Sequence, residues 1–66
     1  MDELDAYRCA KLLLDQHGQD AELHAAMRAD ELDAAGDAAG QRAWMRILAA
    51  IDELARTERH LGEQLQ

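Results

Sequence analysis

The chain has 66 residues and a formal net charge of −7, which limits it to one domain and opposes direct binding to nucleic acid. Its one cysteine, Cys9, excludes an intrachain disulfide and is typical of a reducing compartment. Because no apolar run reaches the roughly 18 residues of a membrane span and the first residues are acidic rather than basic, we expect a cytoplasmic protein with no membrane contact.

The composition predicts an all-α fold. Alanine and leucine dominate, whereas proline, phenylalanine and valine are absent, and these preferences favour helices over strands. We therefore predict a small three-helix bundle that forms a single helical domain over residues 1–66. Gly62 and the polar residues after it predict a frayed C-terminal end from about residue 61.

The first predicted helix spans about residues 3–17. Asp2 is placed to cap its N-terminus, and Gly18 is placed to end it, since glycine adopts the left-handed conformation common just past a helix. Apolar residues at spacings of three and four predict its buried stripe. That stripe consists of Leu4, Tyr7, Ala10, Leu13 and Leu14, with Ala6 and Cys9 on its flank.

The second predicted helix spans about residues 20–35, with Asp20 as its cap and Gly36 as its stop. Its buried face is weakly defined, because two apolar lines compete. One line contains Leu23, Ala26, Met27 and Ala34 and is interrupted by Asp30. The other, thinner line contains Ala25, Ala29 and Leu32.

The third predicted helix spans about residues 38–60 and begins after Asp37, its predicted cap. It has the strongest apolar stripe of the chain, formed by Trp44, Ile47, Leu48, Ile51, Leu54 and Ala55, with Leu61 and Leu65 as a thinner extension. Two acid–base pairs four residues apart are expected on its surface, namely Asp52 with Arg56 and Arg59 with Glu63.

The negative charge is concentrated in the middle of the chain. Residues 15–37 contain seven acidic residues against one arginine, a sum of −6, whereas residues 1–14 sum to −1 and residues 38–66 to zero. We predict an acidic partner-binding face on the second helix, made of Asp20, Glu22, Asp30, Glu31 and Asp33. The alternative is a solvated helix face that only keeps a small protein soluble.

The sequence predicts neither a metal site nor a cofactor. No cysteine or second histidine lies at a chelating spacing from any of the three histidines, His17, His24 and His60. A calcium loop starting at Asp30 fails as well, because its sixth position is Ala35 where glycine is required.

Catalytic groups are equally lacking. The chain has no serine and a single threonine, and Cys9 lies on the flank of an apolar stripe, where a small buried thiol is the ordinary interpretation. Asp52 and Glu53 are neighbours in sequence and so diverge on a helix surface. We predict that the protein is not an enzyme.

Several segments together resemble a family of short, uncharacterised, all-helical proteins from alphaproteobacteria and their mobile elements. The segments are residues 7–18 (YRCAKLLLDQHG), 26–32 (AMRADEL), 36–37 and 44–48 (WMRIL). The resemblance covers about residues 5–55 and implies three helices with a core tryptophan. Because this family is a domain of unknown function, the resemblance implies no site residues.

Three functions remain as hypotheses. The first is a small interaction module or adaptor that docks on a protein partner with a basic or apolar surface. The second is an inhibitor that uses its carboxylates as a nucleic-acid mimic, since the size and charge resemble those of anti-CRISPR proteins. The third, a small transcriptional regulator, is opposed by the charge. A homodimer is a further expectation, because the aliphatic content is thin for a self-sufficient core.

Overall fold

The computed structural model describes the backbone of residues 2–64 and the side chains of residues 2–57. This part of the chain is all-helical and contains no strand, so the predicted all-α class is confirmed. In chain order the elements are α1 (Glu3–His17), a single 3₁₀ turn (Gly18–Asp20), α2 (Ala21–Ala34) and α3 (Ala38–Gln64). No helix among the described residues is both long and apolar enough to cross a membrane.

Helix α1 begins and ends as predicted. Asp2 is extended at its N-terminus, and its Oδ1 accepts a hydrogen bond from the Asp5 N–H at 3.0 Å. Gly18 has φ = 56° and donates its N–H to the Leu14 carbonyl. A side chain at this φ would be strained, so the glycine lets the chain leave the helix and turn at once.

The predicted cap of α2 at Asp20 is wrong. Its carboxylate accepts no capping hydrogen bond, because its backbone is helical, with φ = −86° and ψ = −1°, rather than extended as an N-cap requires. The 3₁₀ turn takes over this role, since the Ala21 N–H donates to the Gly18 carbonyl. Asp20 therefore lies within a continuous path of helical backbone that leads into α2.

A tight turn connects α2 to α3 and satisfies the backbone groups of both helices. At the end of α2 the Asp37 N–H donates to the Leu32 carbonyl at 2.9 Å and the Gly36 N–H to the Asp33 carbonyl at 3.0 Å, a Schellman motif with Gly36 at φ = 79°. The Asp37 carboxylate then caps α3, accepting the Gly40 N–H at 2.9 Å. The predicted roles of Gly36 and Asp37 are thus confirmed.

The core forms where α3 packs against both α1 and α2. Its buried side chains are Ala6 and Ala10 of α1, Ala21, Ala25 and Ala29 of α2, and Ile47, Ala50 and Ile51 of α3. Six of these eight are alanines, so the helices approach each other closely. Ile51 is the largest fully buried side chain, whereas Trp44 is half-buried and packs at the edge of the cluster.

The stripe predicted for α3 is confirmed for its described members, of which Ile47 and Ile51 are buried, although the prediction missed the buried Ala50; the stripe predicted for α1 is displaced toward Ala6. Ala6, expected on the flank, is buried at the centre, and Leu4, expected in the stripe, is 58% exposed. Tyr7, Leu13 and Leu14 are only half-buried beside the cluster. The displacement follows from close packing, because only alanine leaves room for α1 to reach Ala50 and Ile51.

Helix α3 gives the molecule an elongated shape. Its 27 residues span about 40 Å, against roughly 22 Å for α1. The Cα radius of gyration is accordingly 12.8 Å, compared with about 11 Å for a globular domain of this length. The helix extends to Gln64, four residues past the end predicted near residue 60. The side chains of the predicted Arg59–Glu63 pair and of Leu61 and Leu65 lie outside the described residues, and the frayed end remains a prediction.

Candidate docking surface on the outward face of α2

Helix α2 carries its small residues inside. Ala21, Ala25 and Ala29 lie four residues apart in one row, and none is more than 2% exposed. Residues at this spacing share one side of a helix, so the row forms the contact with α3. The thinner of the two predicted lines, which contains Ala25 and Ala29, is therefore the buried one.

The large apolar side chains of α2 point outward. Leu23 is 59% exposed and Met27 is 53% exposed, one helical turn apart. The prediction that the line of Leu23, Ala26, Met27 and Ala34 could be buried is thus wrong for its two largest members. Leucine and methionine in the contact would hold α2 further from Ile47 and Ile51, whereas alanine brings the backbones together.

All five residues of the predicted acidic face are exposed, as expected. The structure does not gather them into one cluster. At 100° per residue, Asp30 lies in line with Leu23 and Met27, Glu22 and Asp33 lie on one flank, and Glu31 lies on the other, while Asp20 lies in the 3₁₀ turn. We call Leu23, Met27, Asp30, Glu31 and Asp33 the α2 outer face, whereas Glu22 lines a groove that it shares with Leu14 and Ile51.

One of these carboxylates has a partner within α2. Arg28 Nη1 lies 3.0 Å from Glu31 Oε2 in an exposed ion pair, which contributes little to stability because water screens it. Within this face the pair leaves Asp30 and Asp33 as the carboxylates that form no ion pair with another described side chain. The α2 outer face is therefore an apolar strip bordered by negative charge.

A second exposed surface lies on α1. Leu4, Arg8 and Leu12 follow one another at four-residue intervals, with Lys11 beside them, and all four are exposed. Leu12 is 57% exposed, close to the value for Leu4. We call these four residues the α1 outer face. The sequence analysis did not predict this face, because it assigned Leu4 to the buried stripe of α1. Leu12 lies outside that stripe.

The turn between α1 and α2 brings two histidines together. The rings of His17 and His24 are stacked, with centroids 3.8 Å apart and planes inclined by 21°. Stacked rings do not converge their nitrogens on one point as ligands of a shared metal ion would. Among the described residues, no group of three or more His, Cys, Asp or Glu side chains could hold a metal ion.

A polar contact fixes α1 on α3. The Tyr7 hydroxyl donates a hydrogen bond to Glu53 Oε2 at the side of an open groove of about 380 Å³ that is also lined by Glu3, Ala6 and Arg46. This hydrogen bond, followed by desolvation and by the charges of Glu53 and Glu3, raises the pKa of Tyr7 above its usual value of 10.0. The groove is open to solvent, and its described lining residues do not pair a nucleophile with a base.

No family model, curated protein or solved structure matches the chain. The resemblance to the alphaproteobacterial family accordingly stays a prediction, and functional inference rests on the surfaces described above.

Proposed function

We propose that the chain is a small three-helix bundle that acts as a protein-interaction module and docks its partner on the α2 outer face. The observation that carries the proposal is the inverted arrangement of α2, in which alanines are buried while Leu23 and Met27 are exposed among carboxylates. Close packing on α3 explains the buried alanines, but a helix that served the core alone would carry polar residues on its outward side rather than leucine and methionine. The partner surface that fits is a helix face with apolar side chains bordered by lysine or arginine.

The two kinds of side chain have different roles in such docking. Burying the exposed halves of Leu23 and Met27 contributes on the order of 2 kcal/mol, at about 25 cal/mol per Å² of apolar area. The carboxylates of Asp30 and Asp33 add less to the affinity. They speed the encounter with a cationic partner and disfavour acidic ones.

A nucleic-acid mimic would use the same carboxylates differently. It needs negative charges that match phosphate positions, and exposed leucine or methionine contributes nothing to that match. A requirement for Leu23 and Met27 in binding therefore distinguishes the interaction module from the nucleic-acid mimic. The exposure of both side chains favours the interaction module.

The test uses a synthetic amphipathic helical peptide of leucine and lysine as probe, titrated against dilute protein and followed by fluorescence anisotropy of the labelled peptide. Leu23→Ser with Met27→Ser, and separately Asp30→Lys with Asp33→Lys, should each weaken binding about tenfold or more, which corresponds to about 1.4 kcal/mol. The matched control, Leu4→Ser with Leu12→Ser, removes equally exposed leucines from α1 and should bind as the wild type does.

Two results would contradict the proposal. One is a wild-type protein that fails to bind the peptide, or that binds it no better than the two α2 variants do. The other is binding that survives the serine substitutions but is lost in the lysine variant, because a surface that needs only its carboxylates behaves as a nucleic-acid mimic.

A further inference from the structure

We propose that a groove at the turn between α1 and α2 binds a linear aliphatic polyamine, with the alkyl chain on its apolar base and the ammonium groups at its acidic rim. We call this site the turn groove. It shares no residue with the α2 outer face, so it does not depend on the docking proposed there. The inference follows from the shape of the groove, from the small residues that keep it open and from the charges of its lining.

The turn groove lies where α1 and α2 meet α3. Its lining comes from α1, the 3₁₀ turn, α2 and α3 together, and its volume is about 670 Å³. Small-molecule sites in proteins range over roughly 300–1,000 Å³, so the groove is large enough for a ligand. Because it is open to solvent, it suits a slender, flexible chain better than a compact ring system.

Small residues keep the groove open and leave its base apolar. Gly18 has no side chain, and a Cβ placed there would meet nothing within 4 Å beyond its chain neighbours. Leu14 of α1 and Ala55 of α3 line the groove and are only half-buried, while Ile51 closes its base from the core. The base therefore offers apolar surface that the described part of the fold does not fully cover.

The rim of the turn groove is acidic. Asp15 near the end of α1 and Glu22 in the first turn of α2 both line it and are exposed, and neither forms an ion pair with a described side chain. The C-terminal carbonyls of α1 add partial negative charge beside Asp15. The described lining residues include no cation, and the stacked rings of His17 and His24 are not among them.

The cations closest in sequence do not neutralise this rim. Lys11 lies one turn before Asp15 on α1, and Arg56 directly follows Ala55 on α3, yet neither lines the groove. The Arg56 guanidinium is already paired with Asp52. The two carboxylates of the rim are therefore available to a positively charged ligand.

An apolar base next to an acidic rim selects the class of ligand. An inorganic cation gains nothing from Leu14 or Ala55, and an uncharged hydrocarbon gains nothing from the carboxylates. A primary ammonium group donates charge-assisted hydrogen bonds to carboxylates, and its methylene stem packs along apolar surface. A linear polyamine combines both, since short methylene chains separate its ammonium groups.

Titration of isotope-labelled protein with spermidine, followed by the NMR signals of the backbone amides, tests this site. The wild type should show its largest shifts at the turn between α1 and α2. Asp15→Asn with Glu22→Gln should weaken binding about tenfold, because both charged acceptors are lost. The matched control, Asp30→Asn with Asp33→Asn, removes the same two charges from the α2 outer face and should bind nearly as the wild type does.

A further variant tests the apolar base. Ala55→Leu keeps both carboxylates but fills the groove, so it should also weaken spermidine binding about tenfold. Mg²⁺ serves as a probe that has charge and no alkyl chain, and it should not reproduce the shifts that spermidine causes. The amide spectrum of each variant without ligand shows whether its fold is retained.

Four results would overturn the proposal. The first is a wild type whose signals do not shift, or shift equally over the whole acidic surface. The second is a control variant that binds as weakly as the variant of Asp15 and Glu22, and the third is Mg²⁺ that shifts the same signals. The fourth is a lysine-bearing peptide that displaces spermidine, since the groove would then take a side chain of a protein partner.

Discussion

At the residue scale, Tyr7 shows how one polar contact orients a helix in a core made mostly of alanine. Small alanine side chains can pack together at many rotations of a helix about its axis. They therefore fix the distance between two helices better than they fix the rotation of either one. The hydrogen bond from the Tyr7 hydroxyl to Glu53 joins α1 to α3 at a defined position. It lies beside Ala6, the residue at which α1 enters the core.

Tyr7→Phe should alter how stability depends on pH. Because the pKa of Tyr7 is raised in the folded protein, its contribution is fully present below the unfolded pKa, about 10, and is lost as pH rises through the folded pKa. Ionised Tyr7 would also repel Glu53. Thermal melts should show a lower midpoint for Tyr7→Phe near neutral pH and a difference that shrinks or reverses above the folded pKa.

Tyr7 is the chain's single tyrosine, so phenolate absorbance follows its titration directly. A variant with the same midpoint as the wild type across the whole pH range would show that the Tyr7–Glu53 contact does not stabilise the protein.

At the element scale, the start of α3 depends on a contact between Asp37 and Gly40. The Asp37 carboxylate caps the helix through the Gly40 N–H. A Cβ added at Gly40 would lie 2.5 Å from Asp37 Oδ2, so the cap and an alanine at this position compete for the same space. The carboxylate can swing away, but it then loses the capping hydrogen bond.

This competition predicts a coupled pair of substitutions. Asp37→Ala should cost about 1 kcal/mol as a lost N-cap. Gly40→Ala should be nearly neutral in the wild type, because a helix-propensity gain of about 1 kcal/mol is offset by the lost cap. In the Asp37→Ala background, where no cap remains to be lost, Gly40→Ala should raise the free energy of unfolding by the full helix-propensity gain of about 1 kcal/mol. Urea unfolding of the four proteins measures the coupling, and an equal effect of Gly40→Ala in both backgrounds would contradict it.

The same local chemistry explains which parts of the fold sequence analysis could predict. Helix ends depend on residues close in sequence, so Asp2, Gly18, Gly36 and Asp37 predicted them well. Asp20 failed because a 3₁₀ turn replaced the extended conformation that capping requires. The stacking of His17 on His24 was missed for a related reason, since it depends on the path of the chain through that turn.

The hydrophobicity pattern could not predict which side of α2 packs against α3. Leu23 and Met27 outweigh Ala25 and Ala29 in apolar area, so a pattern based on area favours burying the larger pair. Packing distance decides otherwise, because alanine permits a close approach to α3 that leucine prevents. The acidic residues were correctly predicted to be exposed, but the exposure of Leu23 and Met27 beside them, on which the proposed docking rests, was not predicted.

At the scale of the whole molecule, the fold combines a thin core with large apolar side chains on its surface. Ile51 lies 1% exposed at the centre of the core, while Leu23 is 59% exposed on the outside. The two kinds of residue therefore have separate environments. Ile51 and the alanines hold the helices together, and Leu23 and Met27 are exposed, where the proposed docking would use them.

The central claim is that Leu23 and Met27 lie outside the core, and urea unfolding of dilute monomeric protein, followed by Trp44 fluorescence, tests it most directly. Leu23→Ser with Met27→Ser should leave the free energy of unfolding within about 0.5 kcal/mol per substitution, as for exposed positions. Ile51→Ala, the reference for a buried side chain, should lose about 2–5 kcal/mol. A loss in the serine variant as large as that of Ile51→Ala would place Leu23 and Met27 in the core and contradict the account.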